Sequence, residues 1–449
     1  MPTRFPAIAM LMALALSLPT AGSAQSSGVP QPLVACGGDF GSFTARMKQA
    51  AVARGRSAQA ADRFFANVRQ DPAVLKADRS QGVFRMEFLD FSRRVISDNR
   101  MTNGARNRDR YAAIFQRAEQ QYGVPAGILL AFWALETDYG AVQGDFNTLN
   151  ALMTLSHDCR RPGLFQPQVI AALELFEHGD FDPARTKGAW AGEVGMVQML
   201  PEDILRNGVD GDGDGHVDLK GSPPDALMSG ARMLQDLGWR AGEPWLQEVT
   251  LPAGLDWSLS GLDQRRSVSD WQRLGVQGRN GALANGLQAS LLLPQGRNGP
   301  AFIAYPNFDV YFEWNQSFTY VLTAAYFATR LQGAPVFDAG NPDPGLSGEQ
   351  MKTLQRRLVA RGYDVGDVLV DRLSNLETMA GAIGSAAIAP LGVRGLPFAD
   401  HYVRHSLLSG KERPADKTAP GSTDRRSLPQ KLARISHRWS TASPQTSVL

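Results

Sequence analysis

The stretch Ala134-Leu-Glu-Thr-Asp-Tyr-Gly-Ala141 closes an apolar run that begins at Pro125. Ile128, Leu129, Phe132 and Leu135 recur at helical i, i+3, i+4 spacing. Pro125 suits the first turn of such a helix and Gly140 the position after its last. Glu136 then lies in the last turn. An anion there faces the negative end of the helix dipole, and Trp133 and Phe132, one turn earlier, strip water from the carboxyl; both effects favour the protonated form. A carboxyl that keeps its proton near neutral pH is a candidate general acid, whereas the same residue on a frayed, solvated helix end has no such role. The surrounding segments decide between the two.

The chain has 449 residues, 43% hydrophobic and 20% charged, which is ordinary globular composition with room for two or three domains. A net charge of +2 gives no nucleic-acid signature. At the N-terminus, Arg4, an apolar run from Ala7 to Leu18 and the small residues Ala21-Gly-Ser-Ala24 read as a secretory signal over 1–24. That run is too short to span a bilayer, and no later stretch reads as a transmembrane segment. Export to the periplasm is therefore expected, an oxidising compartment in which Cys36 and Cys159 are most simply a disulfide. Lipidation is the rival reading, because Leu33-Val-Ala-Cys36 has the look of a lipoprotein processing box, which would make an outer-membrane lipoprotein. The polar stretch from Gly22 to Gln31 separates that box from the apolar run.

Residues 25–35 read as a leader. From Phe40 to about Gln121, apolar positions such as Phe64, Phe65, Val68, Phe84, Phe88 and Phe91 interleave with charge as in amphipathic helices. Further helices are expected near Val169–Phe176, from Asp225 to Leu237 and from about Ser317 to Leu331. Short apolar runs between Trp245 and Tyr311, punctuated by Gly and Asn, predict a small sheet. Asn341-Pro-Asp-Pro-Gly345 reads as a linker, with bounds at 336–345. A helical pattern restarts at Met351 and stops near Gly366, and residues 369–449 are rich in Ser, Arg, Pro and Ala without sustained period, as in a disordered basic tail.

The acidic loop Asp210-Gly-Asp-Gly-Asp-Gly-His-Val-Asp218 places carboxylates at loop positions 1, 3, 5 and 9, glycine at 6 and the His216 backbone carbonyl at 7, the pattern of a calcium loop. So many anions in one loop repel one another unless a cation joins them. Gly221 stands at position 12 in place of a bidentate Glu, and Asp225 is expected to close the cage from the next helix. Asp210, Asp212, Asp214, His216 and Asp225 are thus the candidate ligands of a weak structural Ca2+ in the 210–225 segment, with a dissociation constant of roughly 10⁻⁴ to 10⁻³ M.

Together these pieces resemble the lytic murein transglycosylases of the membrane-bound B type, glycoside hydrolase family 103. The matching stretches are Ala77-Asp-Arg-Ser-Gln81, Tyr122-Gly-Val-Pro125, Glu136-Thr-Asp-Tyr-Gly140, Leu152-Met-Thr-Leu-Ser156 with Cys159-Arg-Arg161, Gly188-Ala-Trp-Ala-Gly-Glu-Val-Gly-Met-Val-Gln-Met-Leu-Pro201, the acidic loop, and Pro306-Asn-Phe308 with Trp314-Asn-Gln-Ser317 and Tyr320. The resemblance implies a mainly α (α+β) fold: a lysozyme-like transglycosylase core over 36–335, with a helical N-terminal layer and a small β subdomain. It implies a lyase that cleaves the β-1,4 bond between N-acetylmuramic acid and N-acetylglucosamine in peptidoglycan glycan strands and leaves a 1,6-anhydromuramyl end. No cofactor is required for that chemistry.

In the family the Glu of this motif is the sole acid and base, which assigns the catalytic role to Glu136. An ordinary glycosidase needs a second carboxyl, and Asp138, at i+2, points to another helix face. The same resemblance carries over Gln198, Met196, Tyr139, Asn315 and Tyr320 as substrate-binding residues of the cleft. Ala189 stands where the family often has Ser, and Trp314 where it often has Tyr, so a hydroxyl near the N-acetyl region and a phenolic contact are not carried over. Residues 346–368 resemble the first half of a peptidoglycan-binding domain whose second half does not follow. Two other readings stay open at this level: a muramidase that uses water, and a non-catalytic, calcium-braced wall-binding protein.

Overall fold

The computed structural model describes residues 31–80, 86–296, 298–315 and 317–342, with a few positions between 349 and 360. The expected signal segment, most of the leader, Phe84, nearly all of 346–368 and the tail lie outside the described residues. Six helices come first: α1 (Phe40–Ala53), α2 (Ala58–Phe65), α3 (Pro72–Arg79), α4 (Phe88–Val95), α5 (Asp98–Arg110) and α6 (Ala112–Tyr122). Their starts follow the capping rule. The side chains of Asp39, Ser57, Asp71 and Ser97 accept backbone N–H groups of the first turns of α1, α2, α3 and α5, satisfying donors that a helix N-terminus leaves free.

The centre of the molecule is α7 (Ala126–Thr137), in which every residue from Gly127 to Leu135 is buried. A helix that is apolar all round has no solvent face to choose and must be enclosed. Enclosure comes from α5, α6, α11 (Pro223–Asp236) and above all α14 (Phe318–Leu331), itself buried along most of its length. Replacing Phe132, which is 1% exposed, by Ala would cost about 3–5 kcal/mol. After α7 come a two-residue ribbon, β1 (Phe146–Asn147) with β2 (Lys187–Gly188), and the pair α8 (Thr148–His157) and α9 (Pro162–His178). Next are α10 (Pro201–Asn207) and the acidic loop.

Between α11 and α13 (Pro306–Trp314) lies the expected small sheet, antiparallel, with β3 (Leu246–Thr250), β4 (Arg266–Ser267), β5 (Gln277–Gly278), β6 (Gln288–Leu292) and β7 (Phe302–Ala304) in the order β4-β6-β7-β3-β5. The two-residue side-chain period sorts its faces. Leu246, Leu292, Phe302 and Ala304 join the main core, while Val249, Leu291 and Ile303 pack with Trp271, from α12 (Val268–Arg273), in a second cluster. The mainly α, α+β expectation holds.

Cys36 and Cys159 are disulfide-bonded, their Cα atoms 5.4 Å apart, which engages the sulfur that lipidation would need. The bond ties the N-terminal segment to the turn between α8 and α9, where Gln166 also grips the Val34 backbone through both its N–H and its carbonyl. Cross-linking residues 123 positions apart contributes on the order of 4 kcal/mol by restricting the unfolded chain. Among the described residues no helix is long and apolar enough to cross a membrane.

Candidate active site

Helix α7 ends at Thr137, and Asp138, Tyr139 and Gly140 all turn left-handed, with φ of 50, 60 and 87°. The helix therefore stops before the Gly140 boundary expected from the sequence. Thr137 shows why. Its hydroxyl donates to the Met196 carbonyl at 2.7 Å and accepts the Gly140 N–H at 3.0 Å, pinning the helix end to the segment that follows β2. The Tyr139 N–H reaches back to the Trp133 carbonyl, so carbonyls left free by the last turn are satisfied.

This end presents Glu136. Its Oε1 accepts the Tyr320 hydroxyl at 2.5 Å and the Trp314 indole N–H at 3.0 Å. Tyr320 comes from the first turn of α14, and Trp314, the last residue of α13, packs against Phe132 with the rings tilted and their centroids 4.3 Å apart. Glu136 is half-buried. Burial pushes its carboxyl up to about 7, against the opposing pull of the Tyr320 and Trp314 donors, which favour the anion. The helix dipole is not needed for the shift. A carboxyl in this state can donate a proton near neutral pH and leaves an anion that two fixed donors receive. Tyr320, 2% exposed and beside that carboxyl, is itself held firmly protonated by burial.

The segment after β2 forms the facing wall. It doubles back on itself through a Val194–Met199 bridge and is fixed by Met196 N–H donating to the Leu219 carbonyl at 2.8 Å. At Gly195, φ is 84° and an added Cβ would lie 2.4 Å from the Leu219 Cβ, so both the conformation and the packing require glycine. Met196 packs on Gly140. Gln198 is buried at a φ of 51°, and its amide nitrogen donates to the Gly195 carbonyl at 2.7 Å, holding the turn from within.

Other carried-over residues take structural partners. The Tyr139 hydroxyl points away and donates to the Arg100 carbonyl on α5 at 2.8 Å, in a gap kept open by Gly104. Asn315 is buried, and its side-chain oxygen accepts the Ser317 N–H at 2.8 Å. Asp138 pairs with the Arg100 Nε at 3.1 Å, but it lies past the helix end in left-handed backbone, so the helix-face reason expected from the sequence does not apply to it. Trp314 departs from the family's Tyr, yet its indole N–H occupies a donor position on Glu136. An aromatic residue with an N–H, spaced like the family's Tyr, was the available signal. Glu193, inside the longest matching motif, had been given no role; its side chain is 3% exposed.

Further along, Asp210, Asp212 and Asp214 bring ligand oxygens within 4.8 Å of one another, all exposed to solvent, a donor set suited to a hard cation. Asp225 does not join that group. It is buried, with one oxygen accepting the N–H groups of Gly211 and Asp212 and the other that of Asp218, so it braces the loop from below. The imidazole of His216 pairs with Asp180 at 2.9 Å. At position 12, Gly221 lies against the Asp218 carboxylate, which would have to shift to admit a Cβ, and the other oxygen of that carboxylate accepts the Lys220 and Gly221 N–H groups.

A family described as the Transglycosylase SLT domain matches residues 39–329, and the chain belongs to that family. Over 238 residues it is 31% identical to membrane-bound lytic murein transglycosylase B of Escherichia coli strain K12, a match that takes in 52% of this chain and 64% of that protein. The chain thus spans just under two thirds of the length of that curated relative. The fold is similar to SltB3 from Pseudomonas aeruginosa, solved in complex with NAG-NAM-pentapeptide: TM-score 0.71, 38% identity, 83% of this chain and 99% of that one. The Escherichia coli lytic transglycosylase Slt35, solved in complex with calcium, matches with a TM-score of 0.57 at 28% identity over 66% of this chain and 95% of its own.

Proposed function

We propose that this protein is a lytic transglycosylase that cleaves the β-1,4 bond between N-acetylmuramic acid and N-acetylglucosamine in peptidoglycan and closes a 1,6-anhydromuramyl end, with Glu136 as its only acid and base. The observation that carries the reading is the pair of donors, Tyr320 and Trp314, on the one oxygen of a carboxyl that burial holds near pH 7. In the first step Glu136 gives its proton to the glycosidic oxygen, and the two donors stabilise the anion it becomes. The N-acetyl group of the muramyl sugar attacks its own anomeric carbon. Glu136 then takes the proton of the sugar's C6 hydroxyl as that oxygen bonds to the anomeric carbon and the bond from the N-acetyl oxygen breaks, which closes the anhydro ring, regenerates the N-acetyl group and restores the acid. Because that hydroxyl is tethered, its effective molarity of roughly 10⁵ M or more lets it outrun water.

A two-carboxylate glycosidase is less well supported. Asp138 is tied to Arg100, and Glu193, 3% exposed, has almost no surface with which to meet a sugar or its attacking water. The substrate class follows from the family and from SltB3 holding a NAG-NAM peptide. Residues 36–335 form the catalytic unit of this proposal, with residues 1–24 directing export to the periplasm and a structural calcium ion at Asp210, Asp212 and Asp214, as Slt35 binds calcium. Mass spectrometry of muropeptides released from purified sacculi tests the reading. Anhydromuramyl ends are expected; reducing ends would make the enzyme a muramidase, and no release would make it a binding protein.

A further inference from the structure

Glu193 is a buried carboxyl that the proposed mechanism leaves without a role. One of its oxygens, Oε2, has no hydrogen-bond partner among the described residues. Its backbone is closely packed: the carbonyl accepts the Ala189 N–H at 2.9 Å, and a Cβ at residue 188 would come within 1.9 Å of that same oxygen, so only Gly188 fits. The segment that carries it is fastened to the end of α7 through Thr137 and Met196, one residue from Glu136. The two carboxyls therefore sit on abutting rigid segments, and Glu136 acts on Glu193 through space in a medium with little water to screen them.

Charge on the far side of Glu193 is asymmetric. Arg161, in the turn between α8 and α9, faces it, and Asp78 pairs with both Arg161, at 2.5 Å, and Arg160, at 2.6 Å. One carboxylate against two guanidinium groups leaves a positive surplus on that wall, and Glu193 is a further anion that acts on Arg161, more weakly than Asp78. On the side of Glu136, among the described residues, its hydrogen-bond donors are the neutral Tyr320 and Trp314, with Tyr311 and the ion pair of Arg100 and Asp138 beyond Tyr320.

We infer that Glu193 is a positioning residue acting through Glu136: its charge, set against Arg161, repels charge on Glu136 and so extends to higher pH the range in which Glu136 holds the acid proton. The inference rests on the reading of Glu136 as the acid. Burial pushes both carboxyls up to about 7, so they titrate over the same range, and a pair so placed ionises in two linked steps that belong to the pair. The sign does not depend on which carboxyl ionises first. A neighbour able to carry negative charge always favours the proton on Glu136, and a neutral neighbour does not.

The test is the pH profile of anhydromuropeptide release by the full chain carrying Glu193→Gln, with Glu193→Asp beside it. In the Gln variant the basic limb should move down by roughly one pH unit, so that the deficit is small at acid pH and grows to about ten-fold on the alkaline side. The Asp variant, which keeps the charge, should hold the limb near its wild-type position. An equal loss at every pH with an unmoved limb would show Glu193 to be merely structural, and an unchanged profile or an upward shift would also overturn the inference. If the Gln variant does not fold, ¹³C-carboxyl NMR of the wild-type chain decides, since Glu136 must titrate in two linked steps; one independent step overturns the inference. That titration needs no turnover. Absence of anhydro product would therefore sink the functional reading while leaving the coupling measurable.

Discussion

Two groups of carboxyls, a buried pair at Glu136 and Glu193 and an exposed trio that begins at Asp210, behave in opposite ways. Glu136 and Glu193 lie in packed protein, and burial raises both to about 7. Asp210, Asp212 and Asp214 lie in solvent, and Asp210 is lowered by the backbone N–H groups of Gly215, Gly213 and Asp214 that its two oxygens accept. The two regions meet where Met196 N–H donates to the Leu219 carbonyl. What separates them is water and backbone. A solvated carboxylate ringed by amides, as at Asp210, stays ionised and offers oxygens to a cation, whereas burial raises a carboxyl even where amides ring it, as at Asp225.

The largest expected effect breaks the buried side of this contrast. Glu136→Gln keeps shape but cannot exchange a proton, so anhydromuropeptide release should fall by about 10³-fold or more while sacculus binding in a pull-down persists. Substantial residual turnover would remove Glu136 from the mechanism. The same variant has a stability signature whose sign is fixed. Folding raises this carboxyl from 4.5 to about 7, so the native state pays nothing while the group is protonated in both states and is penalised progressively as pH rises from about 4.5 through about 7. Glu136→Gln escapes the penalty and should therefore be more stable than wild type above neutral pH, by on the order of 1–3 kcal/mol in denaturant melts, and no more stable below about pH 4.

Tyr320→Phe sharpens the account of how that carboxyl is served. Loss of a hydrogen bond to the anion formed during proton transfer is worth roughly 1.5–3 kcal/mol, or about 10- to 100-fold in kcat. The Tyr320 donor lowers the Glu136 pKa, so removing it should move the basic limb of the pH profile upward even as the rate falls. That is opposite to the shift expected from Glu193→Gln. If both variants move the limb in the same direction, one of the two electrostatic assignments is wrong.

On the exposed side the expected change is smaller and concerns stability alone. A ligand that binds only the native state at ten times its dissociation constant contributes about 1.4 kcal/mol, which raises the melting midpoint by a few degrees in a domain of this size. Millimolar calcium should therefore raise Tm, and Asp210→Ala with Asp214→Ala should abolish the rise while leaving the mechanism of the enzyme unchanged. A Tm indifferent to calcium and chelator alike would leave the loop a solvated turn braced by Asp225.

Much of this was legible in the sequence, for physical reasons that differ from residue to residue. The enclosed α7 follows from an apolar run with no polar face, and the small sheet from short runs between Gly and Asn. Tyr320 is expected only as a substrate-binding residue of the cleft, and its hydrogen bond to Glu136 was not legible, whereas the acidic triad follows from spacing alone. What sequence could not show was which way a side chain turns once its backbone leaves regular helix. Asp138 and Tyr139 are left-handed, which sends the Tyr139 hydroxyl to α5. Asp225 caps amides because its helix begins beneath the loop. The convergence of Asp78, Arg161 and Glu193 depends on three distant segments and leaves no local pattern.

Tyr139 gives the smallest expected effect and the most direct check on that last distinction. It belongs to the motif that presents Glu136, yet its hydroxyl donates to the Arg100 carbonyl, and its ring packs edge-on against Trp133 with centroids 5.5 Å apart. Burial holds the phenol protonated well above its ordinary range, so it is a donor at any working pH and takes no part in proton transfer. Tyr139→Phe keeps the ring and removes only that donor. Stability should drop by about 1 kcal/mol, because the Arg100 carbonyl loses its partner, while kcat and KM for glycan cleavage stay within about two-fold of wild type. A rise in KM with unchanged stability would instead put the hydroxyl on the substrate, and would mean that the loop after α7 rearranges when a glycan strand enters the cleft.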